Sequence, residues 1–287
     1  MKKPFYSVLI PTYNRSAFLR IALQSVLRQT YSDFEIIIID DGSTDTTADV
    51  VDEYRKNSNQ CIWYLYQENR GPAAARNRGL ALAQGTFICF LDSDDRFLHS
   101  KLQRTTDYIG KNPHCKIFHT EEIWYRNGEY LPQKAYHAKP SSFVFKNSTR
   151  LCSISISTAV VHKDIFSDIG TFDERLPACE DYDFWLRATA VYPVLLIPEY
   201  LTIKEGGRND QQSKKYPLMD GFRVEALKKI LTGGTLDKKN RAIALNELKT
   251  KCEILINGAH KRGLDADVVR YRAIIETLQA SNNERAY

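Results

Sequence analysis

The stretch Glu35–Ser43, EIIIIDDGS, decides how this chain folds. Ile36, Ile37, Ile38 and Ile39 leave no polar face. A strand of that composition has to be covered on both sides, which is the condition of a strand inside a parallel sheet. Asp40 and Asp41 end the apolar run and Asp41-Gly42-Ser43 turns the chain, with Ser43 or Asp45 placed to cap a helix through Tyr54. A buried strand that delivers carboxylates into a turn is the unit from which the rest is read.

The same unit repeats on either side. Upstream, Tyr6–Ile10 reads as a strand and Ala17–Gln29 as a helix with Phe18, Ile21, Ala22, Ser25 and Val26 on one face. Downstream come a strand over Ile62–Tyr66, the turn Gly71-Pro72, a helix over Ala73–Gln84 and a strand over Phe87–Leu91 that runs into Asp92-Ser93-Asp94-Asp95. This β-α-β-α-β-α-β order predicts an α/β fold with a Rossmann-like, mainly parallel sheet and helices on both faces. Ligands of such sheets bind beyond the carboxyl ends of the strands. The segments to inspect are therefore Pro11–Arg15, Asp40–Ser43, Glu68–Arg76 and Asp92–Asp95.

From about residue 116 to 198 the pattern is less regular, with short strands over Ile117–Thr120 and Ser157–Val161 and a helix over Asp181–Val191. From Tyr216 it is helical: Met219–Leu231, Lys238–Ala259 and Ala266–Ala280, separated by Gly233-Gly234 and Gly263. The expected division is an α/β domain over 1–215 and a C-terminal helical appendage over 216–287.

The bulk composition agrees with a soluble α/β protein. The chain has 287 residues, 43% of them hydrophobic and 26% charged, enough to bury a core without disulfides. Its six cysteines stand singly, which argues for reduced thiols in a cytosolic protein and against a zinc site. The apolar run after Lys2-Lys3 is broken at Pro11 and Asn14 before it could serve as a signal peptide, and no stretch is long enough to cross a bilayer. The expected location is the cytoplasm, with the inner face of the cell membrane left open. A net charge of +5 does not point to nucleic acid. Between Lys214 and Arg272, however, fourteen Lys and Arg face seven Asp and Glu. That excess reads either as solvated helix faces or as attraction to an anionic surface.

Four constellations carry chemistry. Asp92, Asp94 and Asp95 follow a buried strand, and two carboxylates two residues apart in a turn can converge on a hard cation such as Mg²⁺ or Mn²⁺ bound to a diphosphate. An Asx-turn or helix cap would need only one of the three. Asp40 and Asp41 read either as turn chemistry or as an acceptor for a base N–H or a ribose hydroxyl. Arg70, Arg76 and Arg78 lie near the expected diphosphate, although Arg76 and Arg78, two residues apart, cannot share a helix face. Glu180-Asp181 opens a helix; acids there are dipole partners in many proteins, and in this context one could be the general base for a hydroxyl acceptor.

Together the segments SVLIPTYNR, IIIIDDGSTD, NRGPAAARNRGL, ICFLDSDD and EDYDFWLRA resemble, in order over about residues 5–200, the motifs of the family 2 inverting glycosyltransferases with the GT-A fold. The resemblance implies a nucleotide-binding half over about 1–112 and an acceptor half over about 113–215. It implies that Pro11, Thr12 and Tyr13 frame the nucleobase, commonly uracil, with Tyr13 stacking and Asp41 hydrogen-bonding it, and that Arg76 approaches the nucleotide. Asp92 and Asp94 would be the D-x-D pair, one toward ribose and one toward Mg²⁺ or Mn²⁺, with Asp94 the direct ligand and Asp95 in a supporting role. Asp181 would be the catalytic base. The implied partners are a nucleotide-sugar donor, a UDP-sugar first, and a saccharide or lipid-linked saccharide acceptor in polysaccharide or glycoconjugate biosynthesis. The segment Lys204–Ser213 reads either as a disordered polar loop or as one that closes over the diphosphate, with Lys204 or Arg208 neutralising it.

Two rivals compete with this reading. A sugar-nucleotide pyrophosphorylase would need a glycine-rich loop after the first strand, and PTYNRSAF has no glycine. A non-catalytic nucleotide-sugar-binding scaffold would not need Asp41, Asp92, Asp94 and Asp181 together. For the tail, the stripe Val224, Leu227, Ile230 and Leu231 with Lys228 and Lys229 beside it reads as core packing, a dimer surface or a peripheral membrane contact.

Overall fold

The computed structural model describes residues 3–208, 212–216 and 218–284. The first half alternates as its apolar spacing predicts: β1 (Tyr6–Thr12), α1 (Ser16–Leu27), β2 (Phe34–Asp40), α2 (Thr47–Asn57), β3 (Cys61–Tyr66), α3 (Pro72–Leu82) and β4 (Phe87–Phe90). β1 lies between β2 and β4, with β3 outside β2, all in parallel. Thr12 sits opposite Asp40 and Asp40 opposite Tyr66, so these strands end along one edge.

The isoleucine run serves two cores. Ile36 and Ile38 join Val8, Ile10, Leu23 and Val51 on one face of the sheet. Ile37 and Ile39 join Leu9, Phe90, Phe184 and Trp185 on the other. Side chains alternate along a strand, so an all-apolar strand is what a doubly covered sheet requires. Helix α3 lies so close that a Cβ on Gly79 would stand 2.6 Å from Ile39 Cδ1 and 2.9 Å from Leu9 Cδ2. On α1 the buried stripe is Leu19, Ala22, Leu23 and Val26, which leaves Ile21 45% exposed and shifts the face from the expected one.

The second half contains β5 (Arg96–Phe97), α4 (Lys101–Lys111), β6 (Ile117–Arg126), β7 (Glu129–Tyr130), α5 (Phe145–Arg150), β8 (Val160–His162), α6 (Asp164–Ile169), α7 (Glu180–Val191) and β9 (Leu195–Gly206). β8 is antiparallel to both β4 and β6, and β9 is parallel to β6, giving a nine-stranded sheet in the order β3-β2-β1-β4-β8-β6-β9-β5 with β7 on β6. Two expectations change. Ser157–Val161 is a 3₁₀ turn over Ile156–Thr158 leading into β8. The strand expected over Ile117–Thr120 runs on to Arg126, because Glu122 is buried inside it and paired with Lys139 at 3.0 Å.

The C-terminal part comprises α8 (Gln212–Lys215), α9 (Met219–Thr232), α10 (Lys238–Arg262) and α11 (Asp265–Glu284). Asp237 caps α10 by accepting from Asn240 N at 2.6 Å, as a side chain at that position does for an orphan N–H. The stripe Val224, Leu227, Ile230 and Leu231 is buried in a third core with Leu248 and Cys252 of α10 and with Phe145, Tyr182 and Leu186 of α5 and α7. Its apolar face is therefore occupied by the protein itself, and the core runs across residue 216. Among the described residues no helix is long and apolar enough to cross a membrane.

Candidate functional site

The carboxyl edge of the sheet is a frame of hydrogen bonds between post-strand loops. Thr12 O accepts from Asp41 N at 2.9 Å. Asn14, in the left-handed region at φ 50, donates its N–H to Ser43 Oγ at 2.8 Å and accepts from Thr44 N at 2.7 Å. Pro11 and Thr12 close β1, while Tyr13 stands 48% exposed on this frame. Asp41 Oδ1 accepts from Gln67 Nε2 at 2.7 Å and Arg70 N at 2.9 Å, and its Oδ2 from Gly71 N at 2.8 Å. Those bonds draw the loop after β3 against the edge. Asp40 accepts from Ser43 N at 2.8 Å and Tyr64 Oη at 2.6 Å, so its part is turn chemistry.

Asp92, Asp94 and Asp95 bring one ligand oxygen each within 4.8 Å of one another. Burial opposes the charge of Asp92, but Arg76, Lys204 and Arg15 together outweigh it and hold this carboxyl below its usual range. Burial and the charge of Asp92 push Asp94 up. Burial pushes Asp95 up to about 8, and its Oδ2 is buried with no hydrogen-bond partner. Three crowded acids, two of them resisting ionisation and one with an orphaned oxygen, suit a divalent cation by donor set and by charge. Asp95 is part of this cluster. Asp94 Oδ2 accepts from Arg15 Nη1 at 2.9 Å and from Arg208 Nη2. A cleft of about 260 Å³ opens beside it, lined by Phe18, Arg96, Gly206 and Arg208 among others.

Arg76 departs from expectation. It is only 4% exposed. Its Nη2 donates to Asp92 Oδ1 at 2.7 Å and its Nη1 to Glu180 Oε1 at 2.5 Å, with the guanidinium 5.6 Å from the Phe172 ring centroid. Enclosed in this way, it meets carboxylates and not open space. It forms a strut from the acidic cluster to α7. Arg78 is the exposed partner of the pair and donates to Tyr66 O at 3.0 Å.

Helix α7 begins after Cys179, which takes the left-handed φ of 63. That turn sets Glu180 and Asp181 in the first helical turn. Asp181 Oδ1 accepts from Tyr182 N at 2.7 Å and its Oδ2 from Cys152 Sγ at 3.2 Å.

Lys204 also departs from expectation, because it lies inside β9 and not in a closing loop. Its Nζ donates to Ser155 Oγ at 3.2 Å. Burial opposes its charge, but Asp95, Glu122 and Asp92 outweigh that and keep it a cation. Arg208 stacks 3.9 Å from the Phe18 ring centroid; Asn209, Asp210 and Gln211 of the expected closing segment lie outside the described residues. The sequence marks Arg15 only as the end of the segment Pro11–Arg15 and Glu180 only as the partner of Asp181, without showing that they meet Asp94 and Arg76, and it does not mark Cys152. Arg15 stands in the first motif segment beside Asn14, whereas nothing in the pattern around Cys152 marks it.

The family model for glycosyl transferase family 2 matches residues 7–169. The amylovoran biosynthesis glycosyltransferase AmsB of Erwinia amylovora is 31% identical over 81% of this chain and 80% of its own. An uncharacterized glycosyltransferase of Rickettsia conorii is 30% identical over 73% of this chain. The chain spans only about a third of the length of that relative and of those from two other rickettsiae (35%, 31% and 29%). Among solved structures, S. aureus TarS 1–349 in complex with UDP-GlcNAc superposes with a TM-score of 0.67 at 19% identity, over 96% of this chain and 92% of that one. The mannosyltransferase PcManGT of Pyrobaculum calidifontis, in complex with GDP-Man and Mn²⁺, gives a TM-score of 0.66 at 16% identity, over 98% and 85%. On the match across residues 7–169 and the relation to AmsB, the chain belongs to glycosyl transferase family 2, and its fold is that of the GT-A glycosyltransferases.

Proposed function

We propose that this chain transfers a sugar from a nucleotide-sugar donor, a UDP-sugar first, to a hydroxyl of a saccharide or lipid-linked saccharide, with inversion, during polysaccharide or glycoconjugate synthesis. The observation that carries the reading is the Asp92–Arg76–Glu180 strut, at 2.7 Å and 2.5 Å, which ties the acidic cluster to the turn bearing Asp181. The role of AmsB in amylovoran biosynthesis supports the polysaccharide class, and the TarS and PcManGT structures are complexes with nucleotide sugars.

In this reading Tyr13 stacks on the base within the frame of Pro11 and Thr12. Asp41 accepts from the base N–H through the lone pairs left on Oδ2. Asp92 serves the ribose and Asp94, with Asp92 and Asp95, holds Mg²⁺ or Mn²⁺. That cation would supply charge for the diphosphate leaving group. Arg15 and Arg208, both on Asp94, stand ready to share that duty. Asp181 takes the proton of the acceptor hydroxyl as its oxygen bonds to the anomeric carbon. The bond from that carbon to the diphosphate breaks on the opposite side, and the nucleoside diphosphate leaves with the electron pair. Arg76 acts through Asp92 and Glu180 and does not touch the nucleotide.

The test is release of nucleoside diphosphate from UDP-glucose, UDP-galactose, UDP-N-acetylglucosamine, UDP-glucuronate and GDP-mannose, with Mn²⁺, with Mg²⁺ and with EDTA. Release from at least one UDP-sugar, abolished by EDTA and by D94N, is the expected result. A folded chain that binds UDP yet releases it from none of these donors would overturn the enzymatic reading in favour of a scaffold.

A further inference from the structure

Asp181 is oriented on one side by a group that lies outside every motif. The donor to its Oδ2 is the thiol of Cys152, 3.2 Å away. Burial, and then the charge of Asp181 beside it, push that thiol well above its ordinary range, so it stays protonated and donates. The other acceptor within its reach, Ile154 O, is farther at 3.5 Å.

Cys152 follows two residues after α5, and α5 is fixed from two sides. Tyr182 Oη, one residue beyond Asp181, donates to Thr149 O at 2.6 Å. Lys251 Nζ, from α10 of the tail, donates to Arg150 O at 3.1 Å. Lys251 is 5% exposed, and its charge is met by Glu247 at 3.2 Å and Asp220 at 3.5 Å. Mere filling of that position would suit an apolar side chain better than an ammonium, whose burial is costly unless it is fully paired. The ammonium gives what a hydrophobe cannot, a directed bond to the carbonyl two residues before Cys152.

We propose that Cys152 and Lys251 are positioning residues for Asp181, and that the C-terminal helices thereby set the orientation of the base. A carboxylate held by Tyr182 N on one oxygen and by a thiol on the other keeps one rotamer. Holding a reacting group in its productive geometry is worth rate without any gain in binding. The proposal goes beyond the functional reading and rests on it for the role of Asp181.

Two measurements test it, one free of turnover. The infrared S–H stretch of Cys152, isolated as the difference between wild type and C152S, should lie at the low frequency of a bonded thiol. It should rise in D181A and shift or broaden in K251M. A band unmoved by D181A overturns the contact, and one unmoved by K251M overturns the part given to the tail. In the nucleotide-release assay, C152A should lower kcat about tenfold, the order expected for one lost bond to a charged group. Donor KM and UDP affinity should stay at wild-type values, and C152S should recover part of the rate. An inactive D181N beside a C152A of wild-type kcat overturns this proposal alone. A D181N as fast as wild type overturns the base assignment instead, and the infrared band still decides whether the thiol holds Asp181.

Discussion

At the proposed donor edge, Thr12 ends β1 while Asp41 and Asp92 follow β2 and β4, all parallel; Thr12 and Asp41 find their partners in neighbouring loops, and Asp92 finds Arg76 of α3. At the proposed base, Asp181 depends on Cys152 after α5, on Arg76 through Glu180, and on a core whose other wall is made by α9 and α10. The donor edge is built from a repeated local unit, and its geometry is inherited from sheet register. The base is assembled from segments up to a hundred residues apart, so distant packing decides where its carboxylate sits. Changes at the two places should therefore fail differently.

The sharpest separation is between D181N and D94N. D181N should cut turnover by about 10²–10⁴-fold, the usual share of a general base, while calorimetry with UDP and Mn²⁺ gives wild-type affinity. D94N should lose turnover and affinity together. If both variants behaved alike, the two regions would not be separable.

Arg76 joins the regions, so R76M should damage both. It leaves Asp92 and Glu180 without their cation, the second of them buried. Removing one partner of a buried pair costs about 3–5 kcal/mol, which urea denaturation would register. A variant of unchanged stability would show that the strut holds nothing.

A tail change should reach only the base. Leu227 is fully buried in the third core. L227A should cost about 2–5 kcal/mol of stability and lower turnover with UDP affinity intact. Lost affinity at full folding would break the comparison.

The smallest effect concerns Lys101, which donates at 3.0 Å to Thr158 O in the 3₁₀ turn before β8 and to Thr202 Oγ1 of β9. Burial pulls its ammonium down to about 7 from an ordinary 10.5. The folded-state value lies below the unfolded one, so the unfolded chain binds more protons between those limits. Stability should therefore rise with pH from about 7 toward 10, by at most about 1.4 kcal/mol per unit. K101M should flatten that slope relative to wild type in urea titrations at pH 7, 8 and 9; an unchanged slope would assign it to other groups.

Legibility followed the same divide. Ile36–Ile39 and the acids after each strand could be read because strand period and burial are written in adjacent residues. The length of β6 could not, since Glu121 and Glu122 look like the end of a strand until Lys139 is brought back over the second of them. The direction of the Arg76 guanidinium could not be read either, because its partner Glu180 is 104 residues away. Cys152 gave no signal at all: a lone thiol acquires meaning only through what the fold sets beside it. Lys204 reads as part of a closing loop by resemblance to the family's glycine-containing segment, but Lys204, Glu205 and Gly206 pair with Trp124–Arg126 of β6 and extend the strand to Gly206.

The core that α5 and α7 share with the tail also bears on recombination. A chimera spliced at residue 216 would set a foreign α9 against Phe145, Tyr182 and Leu186 and leave Arg150 O without its lysine. Exchange of the tail between relatives should therefore carry the matching residues at 145, 182 and 186 with it, since those side chains form the wall the tail packs on.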